Sequence, residues 1–160
     1  MRLVNGRRAR GYTIIEMMVV MAVLGLLATA AMPLTELSSR RNKERELKQA
    51  VWEIRRAIDA YKQASDSGRI PRAAGSSGYP PSLSALTAGV PEQSADGRMI
   101  YWLRRVPRDP FSPKGVSAEA SWGLRSYASA PDDPRAGADV FDIYSKSEEV
   151  GMNGMPYRAW

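Results

Sequence analysis

Residues 12–32 read YTIIEMMVVMAVLGLLATAAM, an apolar run broken by one carboxylate, Glu16. No other feature narrows the fold as far. About twenty such residues make roughly 30 Å of helix, one hydrocarbon thickness, so the run predicts a membrane-spanning segment. An acid inside such a segment is costly and is kept for a purpose. The ten residues before Gly11 hold four arginines and no acid. Basic residues beside an apolar run place residues 1–11 on the cytoplasmic side.

The chain has 160 residues, enough for one ordinary domain once that segment and its leader are set aside. Its net charge of +6 owes most to Arg2, Arg7, Arg8 and Arg10. The sequence pI of about 9.8 is therefore a leader effect and gives no support to nucleic-acid binding. Arg104-Arg105 beside Tyr101 and Trp102 is too small a surface for a single strand. Cysteine and histidine are absent. Their absence excludes disulfides, thiolate metal sites and a lipid anchor on Cys. It also removes the commonest general base and transition-metal ligand. No Gly-rich phosphate loop or nucleophile–base pair appears, and Asp132-Asp133 between Pro131 and Pro134 reads as turn chemistry. The composition points away from an enzyme.

Ala28-Thr29-Ala30 offers a signal-peptidase site, but the apolar run is long and Glu16 stands near its start. Glu16 either snorkels to the interface or pairs with a cation from another subunit. An α-amino group created by a cut before Tyr12 is such a cation.

Beyond Pro33 a charged helical pattern continues to about Ser65. Leu47, Val51, Ile54, Ile58 and Tyr61 recur at steps of four, three, four and three, which places them on one face. The other faces carry Lys43, Glu44, Lys48, Glu53, Arg55 and Asp59 among other charges. These read as a solvated surface or as complementary charges between neighbouring subunits. The whole element would run over residues 12–65, on the order of 80 Å. Pro33 lacks a backbone donor and predicts a kink, with Gly25 a second weak point. After an irregular connection, residues 80–88 suit a short helix with proline in its first turn, closed by Gly89. Leu83 and Leu86 would face the long helix. Residues 91–115 read as loop, and residues 122–127 and 139–145 as strands. In the second strand Val140, Asp142 and Tyr144 oppose Phe141 and Ile143. The expected class is α+β, a long N-terminal helix, transmembrane in its first half, packed on a small antiparallel sheet. The divisions are a leader (1–11), a transmembrane helix (12–33), a periplasmic half-helix (34–66) and a small head (67–160).

With its basic leader and the apolar run behind it, Gly11-Tyr12-Thr13-Ile14-Ile15-Glu16 resembles the class III signal of type IV pilins and type II secretion pseudopilins. Tyr12 stands where Phe is usual. The order of the head is similar to that of the major, G-type pseudopilins. The matching residues are Gly78-Tyr79-Pro80 with Leu83 and Leu86, then Val106-Pro107-Arg108-Asp109-Pro110-Phe111, then Asp142-Ile143-Tyr144-Ser145, and Trp160. The resemblance implies a type IV pilin-like fold, cleavage by a prepilin peptidase between Gly11 and Tyr12, and N-methylation of Tyr12. It implies that Glu16 neutralises a neighbouring subunit's amine during assembly, and that helicity between Gly25 and Pro33 is lost in the filament. The implied protein is a structural subunit in the inner membrane of a Gram-negative bacterium, N-terminus cytoplasmic and head periplasmic. It would polymerise into a homopolymeric pseudopilus, with minor pseudopilins, an inner-membrane secretion platform and membrane lipid as further partners. Growth of the filament would drive protein export through the outer membrane. The rivals are a type IV pilin of a surface fibre, a minor pseudopilin, and a single-pass anchor for a periplasmic binding or enzymatic head.

The resemblance also implies Ca²⁺ in the loop after the Asp-Ile-Tyr-Ser strand, with Glu148, Glu149 and Asn153 as oxygen donors. That cation takes six to eight oxygens. The later acidic pair expected near the terminal Trp is replaced by Pro156, Tyr157 and Arg158. The loop is either such a cation site or a segment closed by packing of Tyr157 and Trp160.

Overall fold

Helix α1, Ile14–Asp66, starts where Thr13 supplies a cap. The Thr13 hydroxyl accepts the Glu16 amide at 3.3 Å and its carbonyl accepts the Met17 amide at 3.1 Å, satisfying donors that every helix start leaves unpaired. The computed structural model describes residues 11–160, apart from the side chains of residues 29–35. Helix α1 runs unbroken through Pro33, where the sequence predicts a kink. The chain divides into two compact units, residues 1–40 and residues 41–160, with α1 contributing to both.

In the first unit every described side chain of α1 is exposed. Ile14 is 83% exposed and Leu26 72%, and the apolar residues between them show no buried face. Among the described residues no helix is long and apolar enough to cross a membrane. The described side chains of the apolar stretch end at Ala28.

In the second unit the helical spacing is decisive. Leu47, Val51, Ile54, Ile58 and Tyr61 are all buried, and Ala50, Ala57 and Ala64 fill the same stripe. Small residues between the large ones let the head approach the helix backbone. Leu83, Leu86, Leu103, Val106, Trp122, Val140, Ile143 and Tyr157 complete one apolar cluster.

The secondary structure around that stripe is sparse. Helix α2 covers only Ala85–Ala88 and ends at Gly89, whose φ of 79° suits glycine. It starts later than the sequence predicts. The preceding amides of Ala85, Leu86 and Thr87 bond three residues back, to Ser82, Leu83 and Ser84, so residues 80–84 form turns rather than a first helical turn. Residues 91–115 are not all loop. Strand β1 (Val90–Pro91) pairs antiparallel with β2 (Met99–Ile100), extended by the Glu92 amide to the Arg98 carbonyl at 2.8 Å. A ladder of two residues leaves no alternation to detect.

Strands β3 (Trp122–Arg125) and β4 (Asp142–Ser145) form the second antiparallel pair, with Trp122 opposite Ser145 and Gly123 opposite Tyr144. The expected strand over 139–145 is shortened at its start. The Val140 amide bonds to the Pro80 carbonyl instead of a ladder partner, so Val140 is buried alongside Ile143 rather than on the opposite face. At Gly123 a Cβ would overlap the Tyr144 ring. Only glycine allows that ring to lie across the strand.

One buried carboxylate fastens these pieces. Asp109 is wholly buried. It accepts the Ser145 hydroxyl at 2.6 Å and the Phe111 amide at 2.8 Å, while its own amide donates to Ser121 Oγ at 3.1 Å. The Pro-x-Asp-Pro-aromatic segment is thus the bolt between loop 106–111 and β4. Asp109→Ala would leave one buried and one half-buried donor without acceptors, a cost of about 2–4 kcal/mol. Urea denaturation of the full chain in detergent should show a midpoint lower by about 1–2 M.

Candidate functional site

Two regions carry sequence-predicted functional residues, and a third is a groove that the sequence does not single out. The first is the start of α1. Gly11, Tyr12 and Thr13 lie outside the helix and Glu16 sits in its first turn, exposed. A carboxylate there complements the positive end of the helix dipole. Thr13-Ile14-Ile15-Glu16 also has the spacing of a capping box. The sequence carried that signal, and a reading of Glu16 as a membrane acid alone overlooks it. Gly25 lies within α1, where an added Cβ would meet nothing within 4 Å.

The second region is the loop after β4. Glu148 is exposed, and Asn153 Oδ1 accepts the Met155 amide at 3.1 Å. The Glu149 carbonyl accepts the Tyr157 amide at 3.1 Å. Among the described residues no group of three or more acids could hold a metal ion. Glu148 and Glu149 are the two acids of residues 146–160, so a Ca²⁺ here would draw most of its six to eight oxygens from Asn153, backbone carbonyls and water. The loop also closes on aromatic packing. Tyr157 is buried, its ring 4.1 Å from that of Phe111 and 5.0 Å from that of Trp160.

Helix α1 supplies the polar contacts to this loop. Glu44 Oε1 accepts the Met152 amide at 2.7 Å and the Tyr157 hydroxyl at 3.0 Å. Lys48 Nζ lies 4.5 Å from the centre of the Trp160 ring. Arg55 donates to Asp142 Oδ1 at 2.8 Å and to the Trp160 carbonyl at 3.0 Å. These three charges belong to a run whose sequence suggests only solvent or other subunits. Nothing local distinguishes them, because their partners lie about a hundred residues away in the chain. Trp52, 60% exposed on the same helix with Arg56 4.6 Å from its ring, is a further residue that periodicity passes over.

The third region is an open groove of about 670 Å³ lined by Tyr61, Arg72, Tyr79, Tyr127 and Asp139. Asp139 accepts from the Ser77 and Ser126 hydroxyls and from the Tyr127 amide. Burial pushes its carboxyl up, but the hydrogen bonds from Ser77, Tyr127 and Ser126 outweigh that and hold it below the usual value. The carboxylate ties residues 77, 126 and 139 together. Asp132 and Asp133 sit in an exposed turn, Asp133 paired with Arg135 at 2.5 Å.

The lowered Asp139 value fixes a sign. A carboxyl with a folded pKa below its unfolded value, about 3.9, adds stability above that pH and loses it as pH falls through the folded value. The stability gap between the wild type and Asp139→Asn in urea titrations should therefore be full at pH 7. It should shrink as the solution is taken below about pH 4.

The prokaryotic N-terminal methylation motif matches residues 6–32. Over 135 residues the chain is 27% identical to the type II secretion system core protein G of Aeromonas hydrophila, covering 83% of this chain and 90% of that protein. It is 31% identical over 120 residues to the protein of that description in Pectobacterium carotovorum subsp. carotovorum, covering 67% and 65%. With the one in Klebsiella pneumoniae it shares 32% over 114 residues, covering 66% and 71%. No solved structure matches.

Proposed function

The chain belongs to the type II secretion system core protein G family, and from that membership we propose how each of its segments serves a pseudopilus. As a major pseudopilin it is a structural subunit and not an enzyme. The observation that carries this is the extent of the similarity. A match over 135 residues reaches far past the methylation motif at 6–32. An unrelated head on a pilin-like anchor would match at the motif alone.

A prepilin peptidase cuts between Gly11 and Tyr12, and Tyr12 becomes the N-methylated first residue. Residues 12–33 span the inner membrane with the leader cytoplasmic, and residues 34–66 and the head at 67–160 are periplasmic. Support comes from the four leader arginines and from α1 side chains left exposed on every side through Leu27. Such a surface calls for lipid or neighbouring helices around it. In that surrounding Glu16 pairs with the amine of an adjacent Tyr12, fixing the axial step of the homopolymer. Gly25 and Pro33 bracket the stretch that loosens on assembly. Minor pseudopilins and the inner-membrane platform start and feed the filament, whose growth moves folded proteins outward.

The mass of the mature N-terminal peptide tests the processing step. It should begin at a methylated Tyr12, and an intact Met1 or a start after Ala30 would contradict it. Glu16→Ala tests the assembly step. Removing one partner of a water-excluded ion pair costs about 3 kcal/mol or more, so sheared pseudopili and exported protein should fall on the order of a hundredfold. The uncut or cut subunit should remain in the membrane fraction. Unchanged export with this variant would refute the role given to Glu16.

A further inference from the structure

We propose that the Glu44 carboxylate is the group around which the C-terminal loop, residues 146–160, closes, so that the order of this loop does not depend on calcium. The inference rests on the pseudopilin reading only in taking Ca²⁺ as the cation to test.

The interior of the loop presents donors. The Met152 amide and the Tyr157 hydroxyl both point at Glu44 Oε1, at 2.7 and 3.0 Å. An N–H and an O–H aimed at one point make a place for an anion, and a cation put there would meet their positive ends. Glu44 fills it from α1. Two of the loop's own side-chain oxygen donors are turned elsewhere. Asn153 Oδ1 is taken by the Met155 amide, and Glu148 is exposed. Its backbone also closes on itself, with Gly151 bonded to Met155 at 2.8 Å and Val150 bridged to Pro156.

Glu44 does not act alone. Glu44, Lys48 and Arg55 stand four and eleven residues apart on α1, spacings that share one helix face. Lys48 covers the Trp160 ring, and Arg55 joins Asp142 of β4 to the Trp160 carbonyl. Buried Tyr157 sits within this frame between Phe111 and Trp160. At Gly151 any Cβ would overlap Trp160, so the turn and the ring are fitted to each other. An anion from the helix, a cation over an aromatic ring and a guanidinium on two carbonyls and a carboxylate account for the closure with no metal.

The experiment uses the full chain in detergent micelles, with excess CaCl₂ or with EGTA. Thermal unfolding and hydrogen exchange of the peptide covering residues 149–160 are followed. The wild-type midpoint should agree between the two solutions to within about 1 °C. Glu44→Ala should speed loop exchange by about ten- to a hundredfold in both solutions. Glu44→Gln, which keeps an acceptor without the charge, should give a smaller increase. Combining Glu44→Ala with Tyr157→Phe should cost less than the two changes summed, because they break one shared bond. Glu46→Ala, an exposed carboxylate two positions along, should leave the loop unchanged. A wild-type midpoint lowered by more than about 4 °C in EGTA, or loop exchange that ignores Glu44→Ala, would overturn the proposal. Export assays read the pseudopilin function instead, and a failure there would not move either measurement.

Discussion

The head depends on one apolar stripe of α1. Two-stranded ribbons are marginal in water on their own, and this head has two of them, one only two residues long on each strand. What makes them stable is a shared floor, the buried side chains from Leu47 to Ala64. Leu86 reaches that floor from α2, Trp122 from β3 and Ile143 from β4. Remove the floor and no pair of the remaining elements has enough apolar area to stand alone. Most of the head can therefore be loop, because each loop needs only one or two residues to reach the helix.

This explains which parts of the fold were legible in the sequence. Leu47, Val51, Ile54, Ile58 and Tyr61 declared their common face by spacing, and all are buried. The strand pair declared itself through aromatic residues near Trp122 and Tyr144. Strand β4 is shorter than its pattern because Val140 answers to Pro80, a partner that no local signal announces. The same limit hid β1 and β2, whose pairing is tertiary and not periodic. It also hid the late start of α2, where turn bonds at Ser82, Leu83 and Ser84 win over a proline-led first helical turn.

The functional residues divide in the same way. The N-terminal signal was legible because its chemistry is contiguous, a charge boundary, an aromatic, a cap and an acid within six residues. The charges at Glu44, Lys48 and Arg55 were not, because a helix face shows which residues are neighbours but not what comes to meet them. Asp109 is intermediate. Its motif was visible, but the reason for the aspartate, a hydroxyl donated by Ser145 from another element, required the fold.

The described N-terminal part of α1 carries one more consequence. From Ile14 to Ala28 the side chains are apolar on every side except at Glu16. A cylinder of that kind has nearly the same energy at any rotation about its own axis, in lipid or among like helices. Glu16 is the mark that breaks this symmetry. A single polar position in an otherwise apolar seam fixes register at some cost in stability. On the membrane-spanning reading proposed above, one carboxylate would set two coordinates at once, how deep the helix sits and which way it faces.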